Sequence, residues 1–283
     1  FPVRVPISAN ANLNTTVIGP SDDGQTISQR GAPYPVVVVS PGFSLPTSQF
    51  LVYGERLASH GFVAVHQEYR NAGDHAQSQR DTTALLDWLI TPTGASAPRL
   101  MGRVDGKRVG LTGHSLGGKI SLLTAQKDPR VGAVLTIDPV DGQPPLGAMQ
   151  PAALPGMGAL KLPAGVVLGF LGETESKAGG MPCTPPTQNY EVLYQAFKGA
   201  AFAITFAKAG HMDFVNDFRS CGFVCNVCAA GDAPKLRTRD LAVKYVAAYF
   251  LWTLQGDSGA RAYLYGAPFD ADKGTGAVVR VEK

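Results

Sequence analysis

Charge is scarce in this chain: Asp, Glu, Lys and Arg make up 17% of its 283 residues, and the net charge is +3. No block of Lys or Arg is present, so the electrostatic footprint of a nucleic-acid binder is missing. Long apolar runs are missing too. Gly, Pro or a charge breaks every hydrophobic stretch short of the roughly 18 residues that a membrane-spanning helix needs. Repeats and low-complexity segments are absent, which excludes a solenoid or array. No linker is long enough to divide the chain, so residues 1–283 are expected to form one domain. Against these absences stands a content of 45% apolar residues, enough at this length to bury a full core without staples. The expectation is a soluble, sparsely charged globular protein.

Cysteine is limited to four residues, unevenly placed. Cys183 stands alone, while Cys221, Cys225 and Cys228 fall close together. The chain begins at Phe1, with no Met and no basic-then-apolar leader, which reads as a processed form. An even cysteine count in such a chain suggests two disulfides in a secreted or periplasmic protein. The alternatives are a four-thiolate zinc site, since Cys225-x-x-Cys228 has ligand spacing, or free buried thiols. Cys183 has no near partner to complete a second zinc knuckle, so disulfides are preferred. Their pairing is not readable from spacing.

Short apolar runs alternate with amphipathic stretches, the pattern of a doubly wound α/β fold. Val36 to Val39 is a continuous β-branched run, as in a strand buried on both faces, and Ser40-Pro41-Gly42 ends it. Further strands are expected at 62–65, 107–111, 131–137, 166–171 and 202–206. Helices are expected at 49–60, 81–90, 116–126, 190–197 and 236–254. Pro139 to Pro163 is the exception, an irregular apolar excursion of Pro, Gly, Met, Ala and Leu. It reads either as an ordered surface loop or as an apolar flap beside a cleft.

Gly113-His114-Ser115-Leu116-Gly117 lies between an apolar strand and an apolar helix. That is the context of a nucleophile elbow, in which a sharp turn lifts the Ser115 hydroxyl clear of the sheet. The helix that follows aims N–H groups and a positive dipole end at the reacting centre. A serine hydroxyl needs a base to take its proton, and the base needs an orienting acid. In this fold the order is Ser, acid, His, and His211 is the only histidine after Ser115. His60, His66, His75 and His114 have ordinary structural readings. Candidate acids are Asp128, Asp138, Asp141, Glu173, Glu175 and Glu191. Position alone favours Glu175, after the strand that carries the acid in most enzymes of this fold.

The segments 113–119, Ile137-Asp138-Pro139-Val140-Asp141-Gly142 and Gly210-His211-Met212-Asp213 resemble the successive motifs of chlorophyllases. Leu57-Ala58-Ser59-His60-Gly61-Phe62-Val63 is similar both to chlorophyllases and to bacterial polyester (PET) hydrolases. The resemblance runs from about Val36 to Asp213. It implies an α/β-hydrolase fold, a mostly parallel eight-stranded sheet flanked by helices. It also places the acid at Asp138, with Glu175 as the alternative. Platelet-activating-factor acetylhydrolases are similar in carrying the acid after this same strand.

One oxyanion donor is expected from the Leu116 amide, and similarity to the polyester hydrolases implies Phe43 as the other. The Phe43 ring then walls the acyl site or, alternatively, packs in the core. Leu116 replaces an Arg usual in chlorophyllases and Ser40 a His, differences that bear on substrate rather than chemistry. The expected activity is hydrolysis of a hydrophobic small-molecule or polymeric ester through an acyl-enzyme, with no metal or organic cofactor. The alternatives are a phospholipid acetyl-ester hydrolase and a non-catalytic relative that binds an apolar ligand.

Overall fold

The structure, a computed structural model, describes residues 2–10, 13–92, 97–173, 183–217, 228 and 231–283. Its strands are β1 (Pro2–Asn10), β2 (Leu13–Pro20), β3 (Tyr34–Ser40), β4 (Val63–Gln67) and β5 (Val104–His114). They continue with β6 (Val131–Ile137), β7 (Leu168–Glu173), β8 (Ala201–Phe206) and β9 (Val278–Glu282). The helices are α1 (Leu51–Ser59), α2 (His75–Ile90), α3 (Ala97–Leu100) and α4 (Leu116–Ala125). After them come α5 (Tyr190–Ala196), α6 (Lys235–Gln255), α7 (Ser258–Tyr265) and α8 (Ala267–Gly274).

Among the described residues all nine strands join one sheet in the order β1-β2-β4-β3-β5-β6-β7-β8-β9. β4, β3, β5, β6, β7 and β8 pair in parallel. β1–β2, β2–β4 and β8–β9 pair antiparallel. β1 to β8 make the mostly parallel, eight-stranded sheet of an α/β-hydrolase, and β9 extends its far edge. The Val36–Val39 run shows why such a strand reads as continuously apolar. Side chains alternate across a strand, so Val36 and Val38 enter one core with Leu85, Leu86 and Leu89 of α2 and Ile120 of α4. Val37 and Val39 enter the other, with Tyr53 and Leu57 of α1 and Tyr245, Tyr249 and Phe250 of α6. Each valine so buried contributes about 1.5–3 kcal/mol.

The elements differ from expectation where local chemistry outweighs apolar spacing. α2 starts at His75 rather than Asp81, because the Asp74 side chain caps it by accepting from the Gln77 amide at 2.8 Å. β1 holds Pro2 and Pro6, which argue against a strand, yet its outer position tolerates missing N–H donors. No helix among the described residues is long and apolar enough to cross a membrane.

The excursion at 139–163 is ordered and carries only a short 3-10 turn, Leu154–Gly156. Its root is stapled by the Asp141 carboxylate, which accepts from the Ala153 and Leu154 amides at 2.8 Å each. Lys119, fully buried on α4, donates to the Gly142 carbonyl at 2.7 Å and lies 3.4 Å from Asp141. The tip is open: Leu146 is 88% exposed and Met149 85%.

Candidate active site

Ser115 stands between β5 and α4 with φ 54° and ψ −117°, a conformation that a side chain tolerates only when its surroundings hold it there. Glycine on either side is compulsory. A Cβ on Gly113 would lie 2.5 Å from the Gly117 backbone, and one on Gly117 would lie 2.2 Å from the Ser40 carbonyl oxygen. The Leu116 amide belongs to the first turn of α4, where N–H groups have no intrahelical partner.

The loop after β3 closes on the same point. A Cβ on Gly42 would stand 3.4 Å from the Ser115 Cβ. Phe43 follows and is 37% exposed, so it is not part of the buried core. Both oxyanion candidates, Phe43 and Leu116, therefore belong to segments that adjoin Ser115.

Asp138 directly follows β6, with φ 44° and its own amide bonded to the Leu171 carbonyl at 2.7 Å. Its carboxylate is fully buried and lies 2.5 Å from His211 Nδ1. The other oxygen accepts from the Glu173 amide at 3.4 Å. Burial pushes the His211 imidazole down, to about 4, and the Asp138 carboxyl well above the ordinary carboxylate range. Against that rise, the Glu173 amide pulls Asp138 back toward its charged form. With the shared proton on His211 Nδ1, Nε2 is left bare as an acceptor.

The remaining acid candidates are engaged elsewhere. Asp128 pairs with Arg130, Asp141 with Lys119, and the Glu173 carboxylate accepts from the Thr184 hydroxyl. Glu191 is exposed in the first turn of α5, which Asn189 caps, and accepts from the Tyr190 hydroxyl at 3.4 Å. Glu175 lies outside the described residues.

His211 opens a one-turn 3-10 helix, His211–Phe214, after β8. Three groups that drew no functional reading in the sequence hold this turn. Asp213 Oδ2 accepts from the Gly210 amide at 2.9 Å and the Gly231 amide at 3.2 Å. The Tyr53 hydroxyl donates to the Phe214 carbonyl at 2.8 Å. His114 Nε2 lies 2.8 Å from the His211 carbonyl oxygen. Only Asp213 left a signal, as an acidic residue in the first turn after Gly210.

Cys183 and Cys228 form a disulfide that ties the segment after β7 to the segment after the His211 turn. The bond consumes the Cys228 thiolate that the Cys225-x-x-Cys228 zinc reading requires, so the four-thiolate site is excluded. Cys221 and Cys225 lie outside the described residues. A groove of about 1040 Å³ between α1, α6 and α7 is lined by Arg56, His60, Leu241, Lys244, Leu251 and Tyr263. It contains none of the elbow residues.

A sequence model of the chlorophyllase family matches residues 17–268. Chlorophyllase-2 of Arabidopsis thaliana is 29% identical over 246 residues, 79% of this chain and 74% of that protein. The bis(hydroxyethyl) terephthalate hydrolase of Streptomyces coelicolor is 33% identical over 139 residues, covering 49% of this chain and 43% of that protein. Cutinase est1 of Thermobifida alba is 33% identical over 107 residues, 38% of this chain and 35% of its own length. With its family match spanning all but the two ends, the chain belongs to the chlorophyllase family.

Proposed function

We propose that this chain is a serine carboxylic-ester hydrolase acting on a hydrophobic ester, with Ser115 as nucleophile, His211 as base and Asp138 as acid. The observation that carries this reading is the buried 2.5 Å contact between His211 Nδ1 and Asp138 on the strand ends beside the strained Ser115 elbow. In that arrangement His211 Nε2 takes the Ser115 proton as Oγ attacks the ester carbonyl. The Phe43 and Leu116 amides receive the developing oxyanion. His211 returns the proton to the departing alcohol, leaving an acyl group on Ser115. Water, deprotonated by His211, then releases the acid and restores the serine.

The substrate class follows from what surrounds the site. Phe43 is partly exposed beside Ser115, and the excursion rooted at the elbow ends in the exposed Leu146 and Met149. Between Pro139 and Pro163 the only charged residues are Asp141, which is buried, and Lys161. Apolar acyl or alcohol groups fit such a rim, among them a pigment ester, a polyester chain or a short acyl ester. The chlorophyllase, cutinase and terephthalate-ester hydrolase relatives support the same class. A secreted or periplasmic location is supported by the Cys183–Cys228 bond, since disulfides persist in oxidising compartments.

A panel of chlorophyll, polyester film, short p-nitrophenyl esters and oxidised phospholipid, assayed with wild type and Ser115→Ala, tests the proposal. Wild type should hydrolyse at least one apolar ester and Ser115→Ala none above background. Equal rates in the two proteins would refute it, and activity confined to the phospholipid would favour the acetyl-ester alternative.

A further inference from the structure

His114 fills the variable position of the elbow. Its ring is fully buried at the end of β5. A carbonyl oxygen only accepts, so the 2.8 Å contact with the His211 carbonyl places the His114 proton on Nε2 and leaves Nδ1 bare. That Nδ1 is buried with no hydrogen-bond partner among the described residues. It backs onto the loop after β3, where a Cβ on Gly42 would stand 2.9 Å from it. The face of the ring lies on His211, with centroids 4.5 Å apart and planes inclined at 34°. Phe50 and Phe214 surround the remainder, at 5.6 and 6.3 Å.

This one side chain therefore meets three parts of the proposed machinery. It precedes Ser115 in the chain, bonds the backbone of His211 and abuts Gly42. Those parts come from three different strand ends, β5, β8 and β3, yet catalysis needs them held to within about 0.5 Å. A second proton on the ring would put an N–H at Nδ1 with no acceptor among the described residues. Burial and the neighbouring His211 both oppose that proton. The ring under the base thus stays neutral, so the imidazolium formed on His211 during proton transfer does not face a second cation.

We propose that His114 is a positioning residue for ester hydrolysis: its Nε2–H fixes the His211 carbonyl, and with it the angle at which the base meets Ser115. This rests on the reading of Ser115 as nucleophile and His211 as base. The role belongs to the donor, not only to the ring that fills the space.

His114→Phe and His114→Gln separate the two. Phe keeps a ring and the volume but has no donor, whereas Gln carries an amide N–H to about the place of Nε2 without the ring. On a soluble p-nitrophenyl ester, with active sites titrated by a serine-reactive phosphonate, kcat of His114→Phe should fall about tenfold or more. KM should stay within about twofold, and His114→Gln should recover most of the loss. A packing role alone would make Phe the better variant. Phe equal to or faster than Gln, or a loss confined to KM, overturns the proposal.

A measurement on the wild-type protein serves even if both variants fail to fold. Nitrogen NMR of histidine-labelled enzyme should show His114 as the neutral Nε2–H tautomer throughout the neutral pH range. An Nδ1–H tautomer or an imidazolium there would overturn the proposal. Hydrolysis by Ser115→Ala at the wild-type rate would defeat the underlying mechanism as well. An inactive Ser115→Ala beside a fully active His114→Phe would defeat the positioning role alone.

Discussion

Replacing Asp138 by Asn tests the choice of acid with little disturbance of shape. Asn is nearly isosteric, and it is among the few residues that accept the positive φ of 44° found there. The backbone bond from the Asp138 amide to Leu171 is untouched. What changes is the atom facing His211 Nδ1 at 2.5 Å. If the Asn amide presents its NH2 there, Nδ1 must become the acceptor, and the proton moves to Nε2. A ring protonated at Nε2 cannot take the Ser115 proton. If the Asn oxygen faces Nδ1 instead, the tautomer survives, but the charge that steadies the imidazolium is gone. Either outcome removes transition-state stabilisation in a fully buried site, where loss of the equivalent carboxylate costs on the order of 10⁴ in kcat. Steady-state hydrolysis of p-nitrophenyl butyrate gives kcat, and a thermal melt should show Asp138→Asn folded. Glu175→Gln serves as the comparison and should retain activity near wild type. An Asp138→Asn enzyme within about tenfold of wild type, beside an inactive Glu175→Gln, would refute the assignment.

Other consequences follow from the same geometry. Lys119→Met leaves the buried Asp141 carboxylate with its two amide donors but without its cation and should cost about 3 kcal/mol in urea unfolding, whereas a loss under about 1 kcal/mol would contradict the clamp. In the proposed role of base His211 acts only while unprotonated, and burial lowers its proton affinity. The acid limb of kcat/KM should therefore lie below 6.5, toward about 4, and a limb at or above 6.5 would contradict that burial effect. Leu146→Ser with Met149→Ser should leave hydrolysis of a soluble short ester within about twofold of wild type. On polyester film or an ester emulsion the same pair should slow the enzyme several-fold, and equal loss on both substrates would count against a rim that meets apolar surfaces.

The elements that position the site were legible because they obey simple local rules. β3 shows as four valines buried on alternate faces, β6 spans the predicted residues 131–137, and α4 follows the glycines of the elbow. Ser115 and His211 were legible as candidates because chain order leaves one histidine after the serine. Asp138 was not readable from position, since Glu175 follows the strand that more often carries the acid. Only the resemblance pointed to Asp138, and the structure places that carboxylate on His211. The edge strands were obscured by the prolines of β1 and the shortness of β9. His114, Tyr53 and Asp213 were obscured for another reason. Their roles depend on carbonyls and amides brought close by the fold, and backbone partners leave no pattern in a sequence.

Covalent capture tests the central claim, that Ser115 is the nucleophile, most directly. Wild-type enzyme treated with a fluorophosphonate should gain one adduct by intact mass, and peptide sequencing should place it on Ser115. Loss of ester hydrolysis should track the labelling, and Ser115→Ala should neither label nor hydrolyse. An adduct on another residue, or hydrolysis that persists in Ser115→Ala, would contradict the acyl-enzyme mechanism.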